Sequence, residues 1–187
     1  TVDGTLVLTA GTLSVGANTL TLTGNTPTRT SGTIDASHAN ATLVFDNATA
    51  ITLPDLLFTG AINNLSLTGV GGVTAGSDMT INGVLNLAAA NPSTTSGLLE
   101  MTIDYGTYPG TTNTDYLNSN ILTMAPTSST IGIGDVTGTV KRTTIVANTV
   151  YTFGNQYTTI TLTDGTMPTE LALTITIGAT LPGNPDA

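Results

Sequence analysis

An all-β chain, coiled for most of its length as stacked short strands, is the fold class this sequence predicts, and three observations carry it. Of 187 residues, 43 are Thr, a β-branched residue whose stiff χ1 suits a pleated surface. Alternation of period two recurs in "TLVLT" (5–9), "TLTLT" (19–23), "NLSLT" (64–68), "VLNL" (84–87), "TTITLT" (158–163) and "LALTITI" (171–177). Each run puts Leu or Ile on one face and mostly Thr, Ser or Asn on the other, the mark of a half-buried strand. No run has helical spacing, and "LLEMTID" (98–104) also reads as a strand.

Turn chemistry separates these strands. Asp3-Gly4, Asn82-Gly83 and Asp164-Gly165 are dipeptides that accept a positive φ without strain. Between residues 24 and 80 lie "GTID", "ATLVF", "AITL", "LLF", "INNLSL", "GVTA" and "MTI", most only a few residues apart. Such density suits successive rungs, each strand lying parallel on the one a turn earlier. The opening "TVDGTLVLTAG" at Thr1 returns as "TINGVLNLAAA" from Thr80, matching Gly4 with Gly83, Leu6 with Leu85 and Leu8 with Leu87. Turn and inward face agree together, which predicts that the two stretches are copies of one structural repeat.

The runs at 1–24 and 62–87 resemble repeat regions of large secreted surface proteins of the Bacteroidota type, which carry rungs of the form "NLT-turn-GVT-turn-LTVNGTLTL". The run "GDVTGTVKRTTIVANTVYTFGN" (134–155) resembles the segment that often follows such rungs. The resemblance covers most of the chain and implies a short right-handed parallel β-helix. Beyond Asp135 the strands lengthen, and "GNQ" (154–156) and "TDGTMPTE" (163–170) read as antiparallel hairpin loops. The expected division is therefore a parallel solenoid over 1–135 and a small antiparallel sheet or sandwich cap over 136–187. A cap covers an interior and a row of backbone groups that the last rung would otherwise expose. The first rung has no comparable cover, so its edge is expected to meet further chain or another molecule.

Composition narrows the function. Only 8% of residues are charged, against roughly 25% in an ordinary globular protein. Three basic residues (Arg29, Lys141, Arg142) and a net charge of −9 deny a nucleic-acid backbone its main source of affinity. No stretch approaches the roughly twenty apolar residues of a membrane span. No basic, apolar leader is present at Thr1, so the chain reads as a mature or excised segment. Cysteine is absent, which removes disulfides and thiolate metal sites. Low Lys with high Thr, Asn and Gly is the composition expected of a bacterial cell-surface protein.

Chemistry finds little purchase. Glycoside hydrolysis needs two convergent carboxylates, yet no two acidic residues lie closer than four positions to each other. "NTD" (113–115) is similar to a motif of β-helical pectin hydrolases, but the His-containing and basic partners are missing, and Asp115 reads as a turn former. His38, the single histidine, sits in "DASHAN" and reads as a solvent-facing loop residue. Asp104 and Asp115 flank "YGTYPGTTNT", a weak calcium pattern set against the absence of any calcium-loop motif. Lys141 is the single lysine available for a covalent cross-link, with Glu100 or Glu170 as helper if folding brings one close. "NAT" (40–42), "NAT" (47–49) and "NLS" (64–66) fit the glycan acceptor pattern, at a frequency that chance explains in so Asn- and Thr-rich a chain.

The reading is a non-enzymatic, extracellular structural module of a bacterial surface fibre, stalk or adhesin, without cofactor or metal. Its partners are itself, head to tail, or neighbouring repeats of a longer chain, with Leu6 and Leu8 at one assembly edge and Leu173 and Ile175 at the other. Phe45, Phe58 and Phe153 are expected in the core. The alternative is a carbohydrate-binding module using Tyr105, Tyr108 and Tyr116 on surface glycans, because exposed aromatic faces stack on sugars. A polysaccharide-active enzyme is the remaining reading.

Overall fold

The computed structural model describes residues 1–69, 72–87, 116–132 and 134–175. Every element in them is a strand: β1 (Val7–Leu8), β2 (Thr12–Ser14), β3 (Thr19–Leu22), β4 (Thr28–Arg29), β5 (Thr33–Asp35), β6 (Thr42–Phe45), β7 (Ile51–Thr52), β8 (Asn64–Leu67) and β9 (Val73–Thr74). There follow β10 (Met79–Ile81), β11 (Val84–Leu87), β12 (Tyr116–Met124), β13 (Ser129–Gly132), β14 (Asp135–Thr143), β15 (Val150–Thr152), β16 (Thr159–Thr161) and β17 (Glu170–Ile175). Together they build a β-solenoid of about 4 turns.

One sheet shows the construction. Strands β3, β6, β8, β11 and β13 lie side by side, each parallel to the next. Leu20 faces Leu43, Leu43 faces Leu65, and Leu65 faces Leu85, so one turn takes 20 to 23 residues. The alternation expected from the sequence sets the faces: Leu43, Leu65 and Leu85 are 0 or 1% exposed, while Thr42, Asn64 and Asn86 turn outward and are half-buried. Each fully buried leucine is worth roughly 1.5–3 kcal/mol over leaving it in water. Phe45 and Phe153 are 0% exposed, and Phe58 packs against the core from a half-buried position.

The structure corrects the expected repeat. Val2 bridges to Leu22 and so heads the column Leu22, Phe45, Leu67, Leu87. The structural counterpart of Leu87 is therefore Val2, not Leu8, which pairs with Arg29 in a separate sheet. Ile81, aligned with Val2 in the echo, bridges instead to Ile62. A 79-residue offset is not a whole number of turns, and the echo is a likeness of pattern on different faces. Between Leu85 and its partner Thr130 the step doubles to 45 residues, although β11 and β13 are hydrogen-bonded directly. The segment 88–115 falls in that step, outside the described residues, and with it "LLEMTID" (98–104).

Parallel pairing continues through β14, which lies along β12 from Asp135 to Arg142. Antiparallel pairing begins on its other side, where β17 runs against it, and in the hairpin β15–β16. "GNQ" indeed lies in the hairpin loop. "TDGTMPTE" does not: β16 and β17 belong to different sheets. The nine-residue edge of β14 offers β17 a longer ladder than the three-residue β16 can.

Threonine and asparagine do more than face water. Thr12 and Thr33 share a hydroxyl–hydroxyl bond (3.1 Å) one turn apart. The Thr23 hydroxyl donates to Asp3 (2.7 Å), and the Asn86 amide to Ser66 (3.2 Å). Asn64 spans three turns, donating to the Ala41 carbonyl (3.1 Å) and accepting from the Val84 N–H (3.0 Å). Asn47, 2% exposed, donates to the carbonyls of Thr49 and Gly72. These bonds, each worth about 1 kcal/mol net, are how so uncharged a chain ties turn to turn.

At the corners, backbone lies on backbone. A Cβ added to Gly69 would sit inside the backbone of Asp46 and Asn47, and one on Gly76 inside that of Leu53. Gly69→Ala and Gly76→Ala should each lower stability by about 2–3 kcal/mol, the cost of overpacking against atoms that cannot move aside. Gly4, whose added Cβ meets nothing within 4 Å, should tolerate alanine with a change below about 0.5 kcal/mol. Urea denaturation of the three variants checks the contrast.

Candidate interaction surfaces

The sequence-predicted residues fall at three places. Tyr105 and Tyr108, with Glu100, Asp104 and Asp115, lie outside the described residues. Tyr116 opens β12, where its backbone pairs with Asp135. Leu6 and Leu8 belong to the first turn, and Leu173 and Ile175 to β17.

The first described turn pairs on one side. Among the described residues, β1 pairs with β4 alone and β2 with β5 alone. Leu13 is 38% exposed, whereas Ile34, stacked beside it one turn later, is 0%. Leu20 is half-buried where its neighbour Leu43 is fully buried. Leu8 reaches the core at 8%, Leu6 packs against it half-buried, and Val7 between them is 64% exposed. Alternation aims Leu6 and Leu8 inward and Val7 outward.

The other end is closed by a buried cation. Arg142 is 0% exposed because β14 alternates Val136, Gly138, Val140, Arg142 toward the interior. Its Nε and one terminal nitrogen donate to the Thr152 carbonyl (3.0 and 2.7 Å), and that nitrogen also reaches the Thr152 hydroxyl (3.1 Å). The second terminal nitrogen donates to the carbonyls of Ala125 and Ser128 (both 2.8 Å) and to the Ser128 hydroxyl (2.9 Å). Tyr151 and Phe153 lie 5.4 and 5.9 Å from the guanidinium, distances at which a ring face attracts a cation. Burial pushes the guanidinium down to about 10, with the Tyr151 phenol opposing the shift, so it stays protonated at neutral pH. One side chain thereby gathers the β12–β13 loop and strand β15 of the hairpin.

The carboxylates serve turns. Asp35 accepts from the Ser37 hydroxyl and N–H, which lowers its pKa. Asp78 accepts from the Ile121 N–H (3.1 Å) and Asp164 from the Gly165 N–H (2.7 Å). His38 is exposed, its Nδ1 accepting from the Asn40 N–H (3.1 Å). Asp55 and Asp78 line an open flank groove of about 530 Å³ with Leu56, Gly76 and Ser77. Among the described residues, no three His, Cys, Asp or Glu side chains gather where a metal ion could be held. Lys141 and Glu170 do meet, in a half-exposed ion pair that ties β14 to β17.

The residue that sequence reasoning missed is Arg142, weighed only as one of three basic residues. Its signal was available: it continues the inward period of Val136 and Val140. A charged residue on an inward face asks for buried acceptors, and the Ser128 and Thr152 groups supply them.

Comparison of the chain with protein-family models, curated proteins and solved structures finds no match.

Arg142→Met should destabilise the chain by about 3 kcal/mol or more, because it strands the carbonyls of Ala125, Ser128 and Thr152 in the interior. Arg142→Lys keeps the charge but not the planar fork and should recover less than half of the loss. Thermal denaturation followed by circular dichroism checks both, and a Lys variant as stable as the parent would show that charge alone suffices.

Proposed function

We propose that this chain is a non-enzymatic, extracellular structural module of a bacterial surface fibre, stalk or adhesin. The observation that carries the reading is the turn-to-turn use of the side chains. Asn47, Asn64, Asn86, Thr12, Thr23 and Ser66 are engaged with neighbouring turns, and leucines fill the interior. A surface so occupied resists salt-dependent, nonspecific association, since it carries few charges to attract a partner. The resemblance of residues 1–24 and 62–87 to surface-protein rungs supports the same placement outside the cell.

Reach needs more than one unit. Four turns at the spacing of neighbouring strands rise only about 20 Å, so a fibre or stalk requires units stacked along the axis, as copies or as repeats of a longer chain. Turns that stack by parallel ladders suit either arrangement.

Purified protein should form fibres in electron micrographs, with a diffraction reflection at about 4.8 Å along the fibre axis from the stacked turns. Particles that never associate would restrict the role to a spacer. Turnover of a neutral or acidic polysaccharide, lost in Asp55→Asn or Asp78→Asn, would contradict the non-enzymatic reading outright.

A further inference from the structure

We infer that Asp164 is a site of spontaneous covalent modification, where the chain closes to a succinimide with Gly165 and reopens as isoaspartate. The inference is independent of the structural-module reading above.

The reaction joins a backbone nitrogen to the side chain that precedes it. Gly165 N bonds to Asp164 Cγ while the bond from Cγ to one carboxyl oxygen breaks, and that oxygen leaves as water with the amide proton and a proton from solvent. Water then adds to the cyclic imide. Addition at Cγ restores aspartate, whereas addition at the main-chain carbonyl leaves the chain running through Cβ and Cγ. Water is the only co-reactant. Glycine in the second position matters because any Cβ there would crowd the attacking nitrogen, and the peptide unit between the two residues must be free to rotate until that nitrogen faces Cγ.

The chain holds three Asp-Gly or Asn-Gly pairs, and the fold treats them differently. Asn82-Gly83 is the most reactive by chemistry, since a neutral side-chain amide is a better electrophile than a carboxylate. Stacking locks it. The Asn82 and Gly83 N–H groups donate to the carbonyls of Ile62 and Asn63 (2.9 and 2.8 Å), and the Gly83 carbonyl accepts from the Ser129 N–H (3.1 Å). A Cβ on Gly83 would lie 2.5 Å from Asn64 Oδ1, so the unit has no room to turn. Asp3 is held by its carboxylate, which accepts from the Thr23 hydroxyl one turn later (2.7 Å).

Asp164-Gly165 carries none of these restraints. Thr163, Asp164, Gly165 and Thr166 are all exposed. The Leu162 carbonyl accepts from the Asn148 N–H and the Thr169 carbonyl from the Thr144 N–H; between those two anchors, among the described residues, no other segment bonds to the backbone. A Cβ added to Gly165 would meet nothing within 4 Å. The bond that is present brings the reactants together: the Gly165 N–H donates to Asp164 Oδ1 (2.7 Å), which sets the nitrogen beside the carboxyl group it attacks. The atom that isoaspartate adds to the main chain falls in this loop, outside the β14–β17 ladder that begins at Glu170.

The test ages the intact chain in water enriched in heavy oxygen, folded in buffer and unfolded in guanidinium chloride, and maps its peptides by mass spectrometry. Each passage through the imide leaves a heavy oxygen on the residue, and an isoaspartyl methyltransferase marks the rearranged product. In the folded chain, label should enter Asp164 at least about tenfold faster than Asn82, because Asn82 reacts only when its turn opens. In the unfolded chain the order should reverse. Asp164→Glu, which would have to close a larger ring, should bring label at that position to background, and Asp164→Asn should react faster than the parent. Label entering Asn82 before Asp164 in the folded chain overturns the proposal. So does an Asp164 that stays unlabelled in buffer while the unfolded chain reacts there. Neither result touches the structural-module reading.

Discussion

Every turn of this protein must be covered by the next. Parallel strands stack at about 4.8 Å, and at that distance a leucine such as Leu65 is buried only because Leu43 and Leu85 lie on either side of it. The same spacing dictates the corners, where Gly69 lies against Asp46 and Asn47 with no room for a side chain. It also selects the surface: short amides and hydroxyls bridge neighbouring turns without the rotamer entropy that ordering long charged side chains would cost. A threonine-rich, charge-poor composition follows from the stacking requirement.

Where parallel stacking gives way to antiparallel pairing, another device meets the requirement. At the C-terminal side the chain turns antiparallel, and Arg142 satisfies the outermost carbonyls from within. A buried guanidinium without a carboxylate partner is tolerable because three carbonyls, two hydroxyls and two ring faces share its charge.

Much of the fold was legible because period-two alternation is local. "TLTLT", "NLSLT" and "VLNL" became β3, β8 and β11 within a residue of their expected bounds, whereas "TLVLT" kept only Val7 and Leu8 as strand. Register between turns was not legible. Turn lengths vary from 20 to 23 residues and then double, so a fixed offset such as that from Thr1 to Thr80 loses phase with the faces. Partner choice was equally hidden: β17 prefers the long edge of β14 to the nearer β16, a decision of ladder length that no loop sequence records. At the candidate surfaces, the alternation placed Leu6, Leu8 and Leu173 on inward faces. Arg142 was hidden by its charge, since a basic residue reads as surface until its acceptors are known.

The account stands on the pairing of turns about twenty residues apart, and through-hydrogen-bond scalar couplings in the backbone NMR spectrum test it most directly. Amides and carbonyls should couple along parallel ladders that link Leu20 with Leu43, Leu43 with Leu65 and Leu65 with Leu85 in register. Couplings that instead join strands adjacent in sequence, such as β3 with β4 or β8 with β9, in antiparallel order would describe a sandwich of hairpins and contradict the solenoid.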